Sequence, residues 1–290
     1  MPVSMVLTLP KLPSRPDDSH KGSFGNALIV AGSRGMSGAA VLAGLGALRG
    51  GAGLTTLAIP VGVQSIVAGY EPSYLTVGLP EDASGRIALA ASTEIFERAQ
   101  QATAVAIGPG WGKSGELVEL ARVLYTQLDK PLIVDADALN ALASLPEGLP
   151  ATPPAPRILT PHPGEFSRLT GRDTAEIQAD RESLAAAFAS EHNLVVVLKG
   201  QGTVITDGQQ AAINTTGNSG MATGGTGDVL TGLVVALLAQ GVTPFDAAHL
   251  SVHVHGLAGD LAATELGKPG MTASDLPTYL GRAWRHLGSG

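Results

Sequence analysis

Residues 104–137, AVAIGPGWGKSGELVELARVLYTQLDKPLIVDAD, read as a single β-α-β unit. An apolar run at 104–107 meets a turn at Gly108-Pro109-Gly110, a segment of helical character covers 115–128, and a second apolar run at 131–134 ends at Asp135. Short runs of Val, Ile and Leu bounded by turn residues suit strands buried on both faces, and a helix between two of them makes the pair parallel. The same alternation extends in both directions. It predicts further strands at 26–31, 54–59, 157–159, 194–198, 203–206 and 211–214, and helices at 39–48, 92–101, 138–145, 174–190, 225–239 and 244–265. The expected fold is therefore α/β, a largely parallel central sheet with helices on both faces, closed at one edge by a hairpin around Asp207-Gly208. The Pro-rich stretch 150–156 is short enough to be a surface loop within one domain, and no internal repeat is present.

Composition narrows the function. A chain of 290 residues, 44% hydrophobic and 15% charged, has ample apolar material for a large core. Subtracting 25 acidic from 18 basic residues leaves a charge of −7, which, with 4% aromatic residues, argues against nucleic acid as a partner. An anionic ligand must then be held locally, by backbone groups and a few basic side chains. The absence of cysteine removes thiol nucleophiles, thiolate metal sites and disulfides, in keeping with a cytoplasmic protein. Residues 1–13 place Lys11 after a short apolar run, unlike a secretory signal, and no apolar stretch reaches membrane-spanning length.

In open α/β sheets ligands bind beyond the carboxyl ends of the strands. The unusual residues of this chain collect there: Gly32-Ser33 and Gly35, Gly108-Pro109-Gly110, Asp135 and Asp137, Thr160 to Glu165, and Lys199-Gly200-Gln201-Gly202-Thr203. Each alone reads better as an ordinary strand-to-helix turn, but five on one rim point to a site. A further glycine turn, Gly224-Gly225-Thr226-Gly227-Asp228, runs straight into the apolar stretch 229–238. Unpartnered N–H groups and the dipole at a helix start hold an anion without a basic side chain, and the glycines let it approach. Asp228 in such a turn has two readings: a base taking a proton from a hydroxyl that attacks phosphorus, or a residue favoured at a helix start for dipole reasons alone.

The remaining candidates carry paired readings of the same kind. Gly108 to Ser114, GPGWGKS, lacks the P-loop spacing because Ile107 stands where the first glycine belongs, so Lys113 is expected to be solvated. His162 and Glu165 share a face if Pro163 opens a helix, with Glu165 either near a Mg²⁺ ion or satisfying the helix start. Asp135 and Asp137 read as ligands or as caps. Lys199, closing an apolar strand, neutralises a phosphate or reaches water. His249, His253 and His255 lack an HExxH arrangement and read as core or interface histidines.

Taken together, several motifs resemble the ADP- or ATP-dependent NAD(P)H-hydrate dehydratase family, a branch of the ribokinase-like superfamily with a three-layer sandwich. They are His20-Lys21-Gly22-Ser23-Phe24-Gly25, Ala31-Gly32-Ser33 with Gly38-Ala39-Ala40, Gly108-Pro109-Gly110, Asp135-Ala136-Asp137-Ala138-Leu139, TPHPGEF at 160–166, Lys199-Gly200 with Thr203, Asn214 with Thr216-Gly217-Asn218, and the turn 224–228. The resemblance implies ADP-dependent removal of water from the S epimer of hydrated NADH or NADPH, releasing AMP and phosphate, with Mg²⁺ as cofactor and Asp228 as base. It further implies that Ala39, Ala40, Gly110, His162 and Asp228 contact the hydrated dinucleotide, that Lys199, Gly200, Gln201, Gly202, Thr203, Asn218 and Gly227 contact ADP or AMP, and that Gly224, Gly225, Thr226 and Gly227 form the anion hole. Glu165 would hold the metal, directly or through water.

Relatives among the kinases carry Asn-x-x-Glu where this chain has His162-x-x-Glu165. A vitamin-precursor or sugar kinase of the same superfamily remains the alternative, and a nucleotide-binding regulator without turnover is a third reading against which Asp228 argues. The expected organisation is an arm at 1–20 followed by one domain at 21–290, with any NAD(P)H-hydrate epimerase as a separate partner protein. Apolar helical stretches at 42–48 and 244–265 need covering, which together with the resemblance predicts a homo-oligomer, most simply a tetramer.

Overall fold

A computed structural model of the chain describes residues 3–12, 14–149 and 153–288, so part of the expected loop at 150–156 lies outside the described residues. Its strands are β1 (Ser4–Met5), β2 (Asn26–Val30), β3 (Leu54–Pro60), β4 (Leu75–Leu79), β5 (Ala104–Ile107), β6 (Leu132–Val134), β7 (Arg157–Leu159), β8 (Val195–Leu198), β9 (Val204–Thr206) and β10 (Gln210–Ile213). They form one sheet in the order β1-β10-β9-β8-β7-β6-β5-β2-β3-β4. Strand β9 alone runs against its neighbours, through the expected hairpin with β10 and an antiparallel pairing with β8. The register aligns Val30 with Ile107, Ile107 with Val134 and Val134 with Leu159, which brings the carboxyl ends of four strands to one line. The loops that follow them therefore share a rim.

The helices are α1 (Ser37–Arg49), α2 (Gln64–Ala68), α3 (Ser92–Gln101), α4 (Gly115–Gln127), α5 (Ala136–Ala143), α6 (Pro163–Thr170), α7 (Thr174–Ala179), α8 (Arg181–His192), α9 (Thr226–Ala239), α10 (Pro244–Leu266) and α11 (Leu276–His286). Because successive strand residues point to opposite faces, each strand feeds two cores. Ala27, Ile29, Ala104, Ala106, Ile133 and Ile158 pack with α1, α9, α10 and α11, whereas Leu28, Val30, Val105, Ile107, Val134 and Leu159 pack with α3 to α8. This is the expected sandwich of helix, sheet and helix.

Helix α9, which carries the phosphate-type turn, is the best-buried helix of its layer. Alanines at 27, 104 and 106 leave it room against the sheet. On its other side glycines replace side chains: a Cβ on Gly232 would lie 1.9 Å from the Ala43 carbonyl oxygen, and one on Gly46 would lie 2.3 Å from that of Val229. Backbone-to-backbone packing of α1 and α9 thus fixes where α9 begins. Helix α10 packs on α9 and α11, so the covering that the apolar stretches 42–48 and 244–265 require is found inside the chain. Those stretches therefore no longer argue for a second subunit.

At the opposite end of the sheet Arg157 is fully buried. Its Nη2 donates to the carbonyls of Tyr125 and Leu128, both at 2.7 Å, and Nη1 donates to Lys130 at 3.1 Å and Ala155 at 2.9 Å. Carbonyls at the end of α4 carry partial negative charge, which stabilises a cation there without a carboxylate. Burial still pushes the guanidinium down to about 10, leaving it charged at neutral pH. Arg157→Met keeps the apolar stem but orphans several buried carbonyls. Urea unfolding is expected to show a loss of about 3 kcal/mol or more, with the rim chemistry unaltered in the folded fraction.

Candidate active site

Gly225, the N-cap of α9, has φ +93°, and a Cβ there would meet Leu42 Cδ1 at 2.4 Å. Both facts demand glycine. No side chain caps this end of the helix, and the Asp228 carboxylate is not spent on capping. Thr226 N and Asp228 N donate to the carbonyls of Thr223 and Gly225 at 3.5 and 3.1 Å, which leaves Gly227 N, among the described residues, as the amide of this first turn open to an anion. Desolvation pushes Asp228 up to about 7, reinforced by the negative charge of Asp135 and opposed by Lys199. A carboxylate half-ionised at neutral pH is suited to accept a proton, and this favours the chemical reading of Asp228 over the dipole reading.

Beneath the turn lies a cluster joining the ends of β6, β7 and β8 to α9. Asp135, buried at the end of β6, accepts hydrogen bonds from Thr160 Oγ1 at 2.7 Å, Thr231 Oγ1 at 2.6 Å and Lys199 Nζ at 2.9 Å. Burial works to raise its pKa, yet the attraction of Lys199 and these three donors prevail and hold the carboxyl below its usual range. Lys199 Nζ also stands 3.8 Å from Glu165 Oε2, and a Cβ on Gly227 would lie 3.4 Å from it. Burial alone would depress this ammonium; Asp135 and Glu165 outweigh burial and raise it, so it remains charged. The lysine is therefore a fixed cation at the base of the anion turn, and only a fifth of its side chain is exposed. Sequence reasoning placed Asp135 and Lys199 on the rim separately and missed Thr231. The signal for Thr231 was its position as the lone hydroxyl within the apolar stretch 229–238.

Pro163 does open a helix. His162 is the N-cap of α6: its Nδ1 accepts from Gly164 N at 3.0 Å and Glu165 N at 3.3 Å, while Glu165 Oε2 accepts from His162 N at 2.8 Å. Burial, then Lys199 and Arg168, lower the His162 pKa, so the ring is neutral with its proton on Nε2. That nitrogen lies 3.4 Å from Glu165 Oε1. Desolvation outweighs Lys199 and pushes Glu165 up to about 7.

With both Asp135 oxygens committed, Glu165, Asp228 and Asp137, whose Oδ2 is taken by Gly112 N, are the carboxylates left near the turn. No group of three or more potential metal ligands occurs among the described residues. Mg²⁺ commonly takes one or two carboxylates together with substrate phosphates and water, so this donor set fits a metal brought in on a nucleotide and not an all-protein cage.

The loops around the cluster are interlocked. Ala136, between Asp135 and Asp137, has φ +51°, a left-handed conformation uncommon for alanine. Asp137 Oδ2 accepts from Gly112 N at 2.8 Å, which ties the 108–112 loop to α5. Trp111 is buried and donates to Val30 O at 2.9 Å, Ser114 caps α4, and Lys113 is exposed. GPGWGKS is thus a turn pinned at Trp111 and Gly112, and Lys113 is exposed as expected. Gly110, at φ +65°, sits against Ala39, where a Cβ would lie 2.7 Å from the alanine methyl. Ala39 is partly exposed there, whereas the Ala40 side chain belongs to the core.

A cleft of about 1190 Å³ opens beside the turn, walled by the 199–203 loop, the 213–219 segment, Thr226, Gly227 and His255. Leu230, Val252 and Met221 give it an apolar floor. Burial pushes His255 down to about 4, so it is neutral, and its Nε2–H donates to Thr226 O at 3.0 Å, bracing the first turn of α9. His249 packs against the Phe245 ring. His249 and His255 are buried and His253 is partly exposed.

A family model described as NAD(P)H-hydrate dehydratase matches residues 27–282. The chain is 45% identical over 279 residues, 96% of its length, to the bifunctional NAD(P)H-hydrate repair enzyme of Moorella thermoacetica, of which it covers 52%. It thus spans about half the length of the bifunctional relatives it matches. It is 37% identical to the ADP-dependent (S)-NAD(P)H-hydrate dehydratase of Bacillus subtilis, covering 95% of both chains. A crystal structure of the ADP/ATP-dependent NAD(P)H-hydrate dehydratase from Bacillus subtilis, co-crystallised with ATP and Mg²⁺, superposes with a TM-score of 0.82 at 34% identity, over 95% of this chain and 94% of that one. With its ribokinase-like sheet and its turn, lysine and carboxylates in place, this chain belongs to the NAD(P)H-hydrate dehydratase family.

Proposed function

We propose that this protein removes water from the S epimer of hydrated NADH or NADPH at the expense of ADP. The observation that carries the reading is Asp228, a desolvated carboxylate poised near 7 at the open end of α9 and beside a fixed ammonium. In the proposed reaction Asp228 takes the proton of the ring hydroxyl as that oxygen attacks the terminal phosphorus of ADP. AMP leaves. The Gly227 amide at the start of α9 and the Lys199 ammonium stabilise charge building on the phosphoryl oxygens. The ring nitrogen lone pair then expels phosphate, breaking the carbon–oxygen bond, and loss of a proton from the neighbouring carbon restores the reduced nicotinamide. Mg²⁺ bound with the nucleotide would neutralise phosphate charge, and Glu165 would hold it, directly or through water.

In this assignment the hydrated dinucleotide lies over Ala39, Gly110 and His162, and the nucleotide occupies the cleft bounded by Lys199 to Thr203 and Asn218. A kinase of the same fold would yield a stable phosphoester. Incubation with hydrated NADH, Mg²⁺ and either ADP or ATP is expected to return near-ultraviolet absorbance and free phosphate in equal amounts, with ADP the better substrate. Phosphate ester accumulating without recovery of absorbance would favour the kinase.

Two further assignments belong to this reading. An NAD(P)H-hydrate epimerase, on the same chain or another, would supply the S epimer. The chain would act as a homo-oligomer, a tetramer, for which the exposed Val61, Ile66, Tyr70 and Leu75 on and around α2 and the edge strand β4 offer apolar surface. Light scattering at the mass of a single 29.3 kDa chain would contradict the oligomer.

A further inference from the structure

The 214–218 segment that walls the cleft is held by a residue that stands behind it. Asp260, on α10, accepts from Gly217 N through Oδ2 at 2.8 Å and from Asn218 Nδ2 through Oδ1 at 2.9 Å. The remaining end of the Asn218 amide is also committed, because its Oδ1 accepts from Gly220 N at 2.9 Å. The Asn218 side chain is therefore a strut between α10 and the loop, and what this position presents to the cleft is mainly backbone. Thr216 Oγ1 adds a bond to His253 O at 2.8 Å, and Asn214 Nδ2 one to Thr216 O at 2.9 Å.

Two glycines of α10 make this seating possible. A Cβ on Gly256 would meet Thr216 Oγ1 at 2.3 Å, and one on Gly259 would meet Met221 Sδ at 2.2 Å. The loop lies flush on the helix, yet it is otherwise loosely built: Thr215, Gly217 and Ser219 are exposed, and Gly217 has φ +100°. The carboxylate of Asp260 is the charged anchor of the assembly, and hydrogen bonds to a charged acceptor are the strong ones.

We infer that Asp260 is a positioning residue for nucleotide binding, holding the 214–218 wall of the cleft in its ligand-ready form from outside the cleft. This rests on the reading of the cleft as the nucleotide site. A loop that is competent only part of the time weakens apparent affinity by that fraction, without changing the chemistry once ligand is bound.

Calorimetric titration of the whole chain with ADP and Mg²⁺ tests it without requiring turnover. Asp260→Ala is expected to weaken ADP binding about tenfold or more, with kcat at saturating ADP and the KM for hydrated NADH each within about twofold of wild type. Asp260→Asn keeps an acceptor for Gly217 but sets an amide N–H₂ against that of Asn218, and an intermediate loss of ADP affinity is expected. Unchanged ADP affinity in either folded variant, even with a lowered melting temperature, would overturn the inference. So would a fall in kcat with ADP affinity retained. Should Asp260→Ala not fold, the Asn variant carries the test alone. Wild-type protein that binds no ADP would instead overturn the nucleotide reading, and the inference with it.

Discussion

Asp228→Asn is expected to lower turnover by roughly 10²- to 10⁴-fold while binding ADP at least as tightly as wild type. The substitution removes the proton acceptor and a negative charge facing phosphate but keeps the side-chain volume. The same residue sets the acid limb of the pH profile. Asp228 must be ionised to act, so kcat/KM is expected to fall as pH drops through about 7. Stability should move the other way. A carboxyl whose folded pKa lies above its unfolded value binds more protons folded than unfolded between the two, so the folded state loses stability as pH rises from about 4 to about 7. The Asn variant escapes this loss. Its melting temperature should exceed that of wild type at pH 8 and converge with it near pH 4. Near-normal turnover in Asp228→Asn would remove the residue from the mechanism.

Lys199→Ala should have the second largest effect, and on two observables. The ammonium bonds Asp135 and faces Glu165 and Gly227, so its loss removes a cation from the phosphate end of the nucleotide and leaves several carboxylates uncompensated. The apparent constant for ADP is expected to rise by roughly 10- to 100-fold, more than that for the hydrate. Because Lys199 also holds the Asp228 pKa down, the acid limb should move upward. A larger change for the hydrate than for ADP would show that the two ligands lie on the opposite sides of Asp228. An unmoved acid limb would mean that Lys199 does not set the charge of the base.

Much of the fold was legible because its strands are continuous apolar runs. Residues 104–107 and 157–159 are strands with the expected bounds, and 92–101 is a helix with the expected bounds. The elements not foreseen lack that signal. Strand β4, with Gly78 and an exposed Leu75 at the sheet edge, offers no continuous run, and β1 is two residues long. Helix α11 contains Pro277 and Gly281, and α2 spans five residues. The helix expected at 174–190 is broken at Asp180, where φ −144° and ψ +59° leave the helical region without a glycine or proline to announce it.

The site divides along the same line. Asp228, Lys199, Asp135, His162 and Glu165 were visible because each ends a strand or opens a helix, where side chains meet ligands. Their bonding was not visible. Asp135 and Thr231 are 96 positions apart, and only the packing of α9 across β6 and β5 brings them together. Contacts of that range arise from tertiary structure, and so do the desolvation and charges that raise the Asp228 pKa. The helices 42–48 and 244–265 teach the converse, since an apolar helix signals burial without saying what covers it.

The central claim is that the hydroxyl of the hydrate, and not water, attacks phosphorus at Asp228. Hydrated NADH whose ring hydroxyl carries oxygen-18, turned over with ADP in unlabelled water, decides it by mass analysis of the released phosphate. The account predicts one labelled oxygen in each phosphate, since the bond to phosphorus forms before the bond to carbon breaks. Unlabelled phosphate, with the heavy oxygen lost to water, would contradict it.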